Sequence, residues 1–429
     1  MTPLLVPLHG IGSRQDLPLP FEYVLVGAAA ALAVSFAVLA FAWRSARWSQ
    51  PPQGRPLAGL TRLVDHPVTV WVLRVVVLVV WLVAGLALWF GQDRVTNPAF
   101  GFVYVWLWVG LVPLSLLAGP LWRRVNPART LLDLVRLLPG AARLGRRPLP
   151  ARLGTWPAAV GLVGFLWLEL VQPGNNALPV LQAWAAAWLV WVLGGALVWG
   201  GAWIAAADPF EAVANLVARL SPWRRGDGQV RLVNPLHNVA AGPHPAGTAA
   251  VVVVLLGGTA FDSFGATTGW IRMVQTSDLP SELWGTLGLL GMIALVAATF
   301  ALGVRGLAAD VMAASVVPIV VGYTLGHYLS LLVLEGQRTA GLLSDPLGLG
   351  WNLFGTAEAG IAQLWLENPT ATALIQLFAI VGGHLLGVLV AHDLAIARLP
   401  ATRAVSGQVP LLLVMVGYTV GGLTLLFSP

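Results

Sequence analysis

Apolar runs of about eighteen or more residues recur along this chain, and at 1.5 Å of rise per residue such a run crosses a bilayer core as a helix. Ten spans can be drawn, at 21–43, 68–90, 99–118, 155–172, 178–205, 246–264, 284–305, 308–334, 370–391 and 409–427. In hydrocarbon every backbone N–H and C=O must be satisfied within the protein, so recurrent runs of this kind fold as a helical bundle. Composition agrees: 57% of the 429 residues are hydrophobic and 10% are charged, against about 25% charged in a soluble domain. The expectation is an all-α, polytopic membrane bundle forming a single integral membrane domain over 1–429.

Orientation follows from the basic residues, all of which are arginine. Nineteen of the 24 fall in one alternate set of loops and helix ends (44–67, 119–154, 207–245, 305–307 and 392–408) and four in the opposite set, while Arg74 lies just inside the second span. Arginine accumulates on the cytoplasmic side. The first set is therefore expected inside, with both termini outside and the chain multi-pass in the plasma or inner membrane. The same distribution assigns the high pI to membrane topology, with lipid as a partner and no nucleic acid. With no cysteine in the chain, disulfides and thiolate metal sites are excluded.

Two basic loops, 119–154 and 207–245, look alike. One reads VNPARTLLDLVRLLPG from Val125 and the other DPFEAVANLVARLSPW from Asp208. Asn or Asp before Pro supplies an N-cap and a first helical residue. Leucines and valines then recur at helical spacing, which predicts two amphipathic helices on the cytoplasmic membrane surface. On the other side, 1–20 forms an extracytoplasmic N-terminal segment and 335–369 an extracytoplasmic loop, with GTAEAGIAQLWLEN in it expected as a short surface helix. The segment 308–429 reads as a glycine-rich sub-bundle. VGYTLGHYLSLLV at 321–333 and VGYTVGGLTLLF at 416–427 echo one another, and the pairs 322/326, 383/387 and 417/421 have the Gly-x3-Gly spacing that lets helices approach closely.

Ionisable groups within spans are costly and mark cavities, partners or neighbouring helices. Counting 1.5 Å per residue, Glu169, Asp262 and His327 reach roughly 20–24 Å above the cytoplasmic face. They stand on three different spans, with Tyr323 one turn below His327 and His9 in the outer N-terminal segment. Two carboxylates and an imidazole suit one divalent metal ion, which could activate water. A polar pocket for a small solute, or plain interhelical packing, would use the same groups. His384 lies lower, roughly 15 Å from the level of His327, which disfavours a haem held between them. His392 and Asp310, with Asp393, mark the cytoplasmic end of a polar path or an interfacial ion-pair network with Arg398 and Arg305. P-loop, GxGxxG, GxSxG and HExxH patterns are absent.

HGIGSRQDLPLP, RVNPARTLL, ADPF, NPLHNVA, GGTAFDSF, GHYLSLLVLEGQ and AHDLA, spread over almost the whole chain, together resemble a group of bacterial polytopic membrane proteins labelled fenitrothion hydrolase. The resemblance implies hydrolysis of a lipophilic organophosphate triester. Glu169, Asp262 and His327 would be the metal ligands, assisted by Tyr323 or His9. The alternative class is a transporter or permease for a small solute or ion, and a third is a structural partner of another membrane complex.

Overall fold

Helix in this chain is set by apolar runs between breakers, and proline or an Asx–Pro pair opens most of the long helices. A computed structural model describes residues 16–48, 50–362 and 367–427. The helices used below are α1 (Phe21–Ala42), α2 (Pro67–Phe90), α3 (Pro98–Val109 bent by 41° into Leu111–Ala118), α4 (Pro127–Val135), α5 (Trp156–Leu170), α6 (Leu178–Trp199), α7 (Pro209–Val217), α8 (Thr248–Gly265), α9 (Ser281–Gly303), α10 (Val317–Leu342), α11 (Pro369–Ile396) and α12 (Val409–Leu426). Among the described residues nine helices are long and apolar enough to cross a membrane, and counting the bent α3 as one span gives ten. The protein is an all-α, multi-pass integral membrane protein.

Burial separates the central helices from the lipid-facing ones. Two thirds of the residues in the apolar windows of α8 and α10 are buried, against about a tenth in α2. The exposed positions of α2 are valine, leucine, tryptophan, Phe90 and the leading Pro67, apolar as a face toward hydrocarbon requires. Buried polar residues lie mainly on α8, α10 and α11, where neighbouring helices can satisfy them.

α10 and α11 cross closely because glycine removes side chains from the contact. A methyl group on Gly383 would stand 2.6 Å from the Pro318 carbonyl oxygen, and one on Gly387 2.8 Å from that of Ser315. Gly322 faces Ala379 and Gly383, and Gly326 faces Ile380 and Gln376. The third glycine pair behaves differently. Gly417 and Gly421 meet nothing within 4 Å, and it is Gly422 that faces Tyr323. α12 instead docks through Leu411, Met415, Thr419 and Leu423, all buried.

Of the two helices expected on the membrane surface, α7 packs into the bundle, while α4 is buried on one side only. Every residue of α7 except Asn215 is buried, and the Phe210 ring stands 5.3 Å from Phe165 and 6.1 Å from Trp188. α4 buries Pro127, Ala128, Thr130 and Leu132. Both amphipathic segments are helical; the apolar face of α7 is covered by protein, whereas Leu131 and Leu134 of α4 and the following Leu137 and Leu138 are exposed.

The arginine-rich end carries a small sheet that helix patterning did not indicate. Arg55–Pro56 (β1), Trp223–Gly226 (β2) and Gln229–Leu232 (β3) pair antiparallel in the order β1-β3-β2. The β2–β3 turn is Asp227-Gly228, both at positive φ, the pair a two-residue hairpin turn demands. Asp65 links this end together through Arg124, at 2.7 Å, and Arg225. The hydrogen bond from Arg124, with Arg225 adding to it, holds the Asp65 carboxyl below its ordinary range.

At the opposite end Arg338 pairs with Glu335 at 3.1 Å. The expected surface helix at 355–368 is not formed over 355–362, which are turns and irregular backbone. Leu364, Trp365 and Leu366 lie outside the described residues.

Candidate functional site: an intramembrane carboxylate–imidazole couple

The site forms where α8 and α10 face one another at the centre of the bundle. On α8, Thr259, Asp262 and Ser263 share one face through i, i+3 and i+4 spacing. On α10, Tyr323 and His327 stand one turn apart on the opposing side, with Tyr328 next to His327. All six side chains are buried. Asp262 is 8% and His327 3% exposed, so neither side chain reaches water as a snorkelling group would.

Asp262 is the hub. Its Oδ2 accepts the Tyr328 hydroxyl at 2.6 Å and faces His327 Nε2 at 3.1 Å. The Ser263 hydroxyl bonds the Tyr323 hydroxyl at 2.7 Å. The Tyr323 ring stacks on His327 at 5.5 Å, and Tyr328 stands edge-on to His327 at 4.4 Å. The imidazole is therefore held by a stacked ring, by an edge-on ring and, at Nε2, by a carboxylate. That arrangement sets its orientation and favours a proton on the nitrogen facing Asp262. The chain entering α1 reaches the same region, since Leu17, Phe21 and Val24 share an apolar cluster with Tyr323. His9 lies outside the described residues.

Glu169 stands near the couple without joining it. It is close enough to interact electrostatically with Asp262, Tyr104 and Tyr328. Its Oε2 is fully covered and has no hydrogen-bond partner among the described residues. Asn175 caps this end of α5 by donating to the Glu169 carbonyl at 2.6 Å. The shared three-ligand metal set expected from depth is not assembled. Among the described residues no group of three or more His, Asp or Glu side chains is placed to hold an ion, and the Nε2 and Oδ2 donors of His327 and Asp262 are turned toward each other.

The remaining intramembrane candidates are separate from this couple. His384 directs Nδ1 at the Ile380 carbonyl one turn earlier, at 2.9 Å, and its Nε2 is covered with no partner among the described residues. His392 places Nδ1 2.9 Å from Gln408 Oε1 and Nε2 3.0 Å from the Trp43 carbonyl. Asp393 accepts from Trp43 Nε1 and from the Arg47 and Trp48 backbone N–H groups. These two residues tie the end of α1 to α11; among the described residues they form no ion pair with Arg398 or Arg305. Asp310 accepts from the Ala249 backbone N–H at 2.9 Å, capping the start of α8.

A second polar cluster joins α4 to α7. Asn126 and Asp208 cap the two helices by accepting from Ala128 N and Phe210 N. They also meet each other, Asn126 Nδ2 donating to Asp208 Oδ2 and to Glu211 Oε2, both at 2.9 Å. Arg129 grips Glu211 with two nitrogens, Nε at 2.7 Å, and donates to the Gly201 carbonyl at 2.9 Å. The twin Asx–Pro caps were legible in the sequence; their meeting was not, because nothing in either loop names the other as its partner.

No protein-family model matches the chain, and neither a curated protein nor a solved structure matches it.

Proposed function

We propose that this integral membrane protein handles protons inside the bundle, moving them across the plasma membrane alone or with a small solute. The observation that carries this reading is the Asp262–His327 hydrogen bond, buried between the two most enclosed helices with the Tyr328 hydroxyl on the same carboxylate oxygen. An isolated charge there is expensive, whereas a carboxylate beside an imidazolium, with a proton on each ring nitrogen, is neutral overall. A further proton, or its loss, changes the charge of the couple. That change is felt by Glu169, which is within electrostatic reach. Intramembrane Asp and His pairs of this kind suit proton relays.

A second reading is hydrolysis of a lipophilic phosphotriester, as the resemblance implies. It is favoured by the same couple, because an imidazole oriented by a carboxylate is the arrangement of a general base. Such a substrate would partition into the bilayer and reach the bundle laterally.

One preparation tests both. Purified protein in liposomes containing a pH-sensitive dye is given an external acid step, with valinomycin and potassium to clamp the potential. Phenolate release from an aryl dialkyl phosphotriester is followed in parallel. Proton handling predicts lumen acidification faster than in protein-free liposomes. Acidification at the protein-free rate, accompanied by phenolate release, would replace it with the hydrolytic reading.

A further inference from the structure

α7 is interior except at Asn215 and yet carries Glu211. Glu211 has no exposed surface, whereas the side chain of its partner Arg129 keeps 15% exposure. The ion pair thus spans the border between the buried bundle and its arginine-rich end. On its other flank α7 presents Val213 to a cavity of about 10 Å³, roughly the space one water molecule requires. Val112 and Val320 form part of the wall, and the hydroxyl-bearing residues on it are Thr259, Thr324 and Tyr328. Tyr328 is the residue that donates to Asp262. From the couple toward the arginine-rich end the order is therefore Asp262, Tyr328, a water-sized cavity, and α7.

We propose that α7 is the gate separating the Asp262–His327 couple from the arginine-rich face, with the cavity as its inner vestibule and the Glu211–Arg129 pair, steadied by Asn126, as its latch. The inference rests on the proton-handling reading for its purpose and on packing alone for its geometry. Three features suit a gate. α7 is held by charge-assisted bonds to one neighbouring helix, α4, beside an apolar packing surface. A buried pair of this kind is strongly disfavoured when one partner is lost, so the held and released states are distinct and not a continuum. And α7 contributes one side chain, Val213, to the lining of the vestibule. The vestibule's hydroxyls give a water molecule the polar partners it needs next to Tyr328.

The absence of native cysteine makes the test clean. Thr324→Cys is introduced into the full chain, and the rate of its modification by a small impermeant methanethiosulfonate reagent is measured from the arginine-rich side. It is measured with the latch intact and with the latch neutralised by Arg129→Met plus Glu211→Gln. A pair neutralised together avoids leaving one charge buried alone. The gate predicts slow labelling with the latch intact and a rate roughly tenfold higher without it. Val213→Ala, which shortens the α7 side chain lining the vestibule and leaves the latch untouched, should accelerate labelling likewise, so the test survives misfolding of the latch variant. Equal rates in all three backgrounds overturn the gate. Labelling needs no proton movement: latch-dependent labelling without lumen acidification would keep the gate and remove the proton reading, and acidification with latch-independent labelling would do the reverse.

Discussion

The Tyr328 hydroxyl and the His327 imidazole meet on one oxygen of Asp262, at 2.6 and 3.1 Å, although the two residues are adjacent on α10. Adjacent residues on a helix point about 100° apart, so Asp262 sits in the angle between them and locks α8 against α10. Tyr328→Phe removes a hydrogen bond to a carboxylate, worth roughly 0.5–2 kcal/mol in a membrane interior. The expected result is a modest drop in thermal stability in detergent, with the fold retained and proton flux slowed. Unchanged stability and flux would remove Tyr328 from the site.

The glycine contacts predict an asymmetry within the C-terminal helices. Gly383→Leu drives a side chain into the Pro318 and Gly322 backbone and should reduce folded yield severely. Gly417→Leu enters open space and should express and melt like the parent. Size-exclusion profiles and thermal melts of the two variants check this; equal tolerance would mean that α10 and α11 are not in backbone contact.

This asymmetry marks how far the sequence could be read. The number of spans and the helical class follow from apolar length alone, because hydrocarbon leaves the backbone no alternative. The approach of α10 and α11 follows from Gly-x3-Gly spacing. The same spacing in α12 misled, since a motif records where close approach is permitted and the partner's position decides whether it occurs. The sheet at the arginine-rich end was marked only by Asp227-Gly228. Depth counting found the Asp262–His327 level, yet depth fixes one coordinate. Rotation about the helix axis, which turns His327 onto Asp262 and leaves Glu169 apart, is set by packing. Ser263 escaped notice for that reason, and an Asp-Ser pair opposite two tyrosines was its only signal. α7 was misplaced because burial against protein and burial against lipid leave the same amphipathic pattern.

The α4–α7 junction makes a quantitative prediction. Arg129→Met alone strands Glu211, which is fully buried, and should cost about 3–5 kcal/mol. Arg129→Met with Glu211→Gln should recover most of that loss. A double-mutant cycle on unfolding midpoints checks the coupling; additive losses would mean that the pair is not held in the folded protein.

Orientation is tested with the same cysteine-free background. Nineteen arginines at one end and four at the other predict that the arginine-rich end faces the cytoplasm. Single cysteines at Asn175 and Asp345 should react with an impermeant reagent in intact cells, and those at Arg146 and Arg225 only after permeabilisation. The reverse pattern would invert the protein in the membrane and with it the direction of the proposed gate.

The central claim is that protons pass through the Asp262–His327 couple. Lumen acidification after an acid step is compared for wild type, Asp262→Asn and His327→Ala, reconstituted at equal density and each checked for a monodisperse fold. The account predicts that both substitutions reduce the rate to that of protein-free liposomes while wild type stays well above it. Folded Asp262→Asn protein acidifying the lumen at the wild-type rate would contradict it.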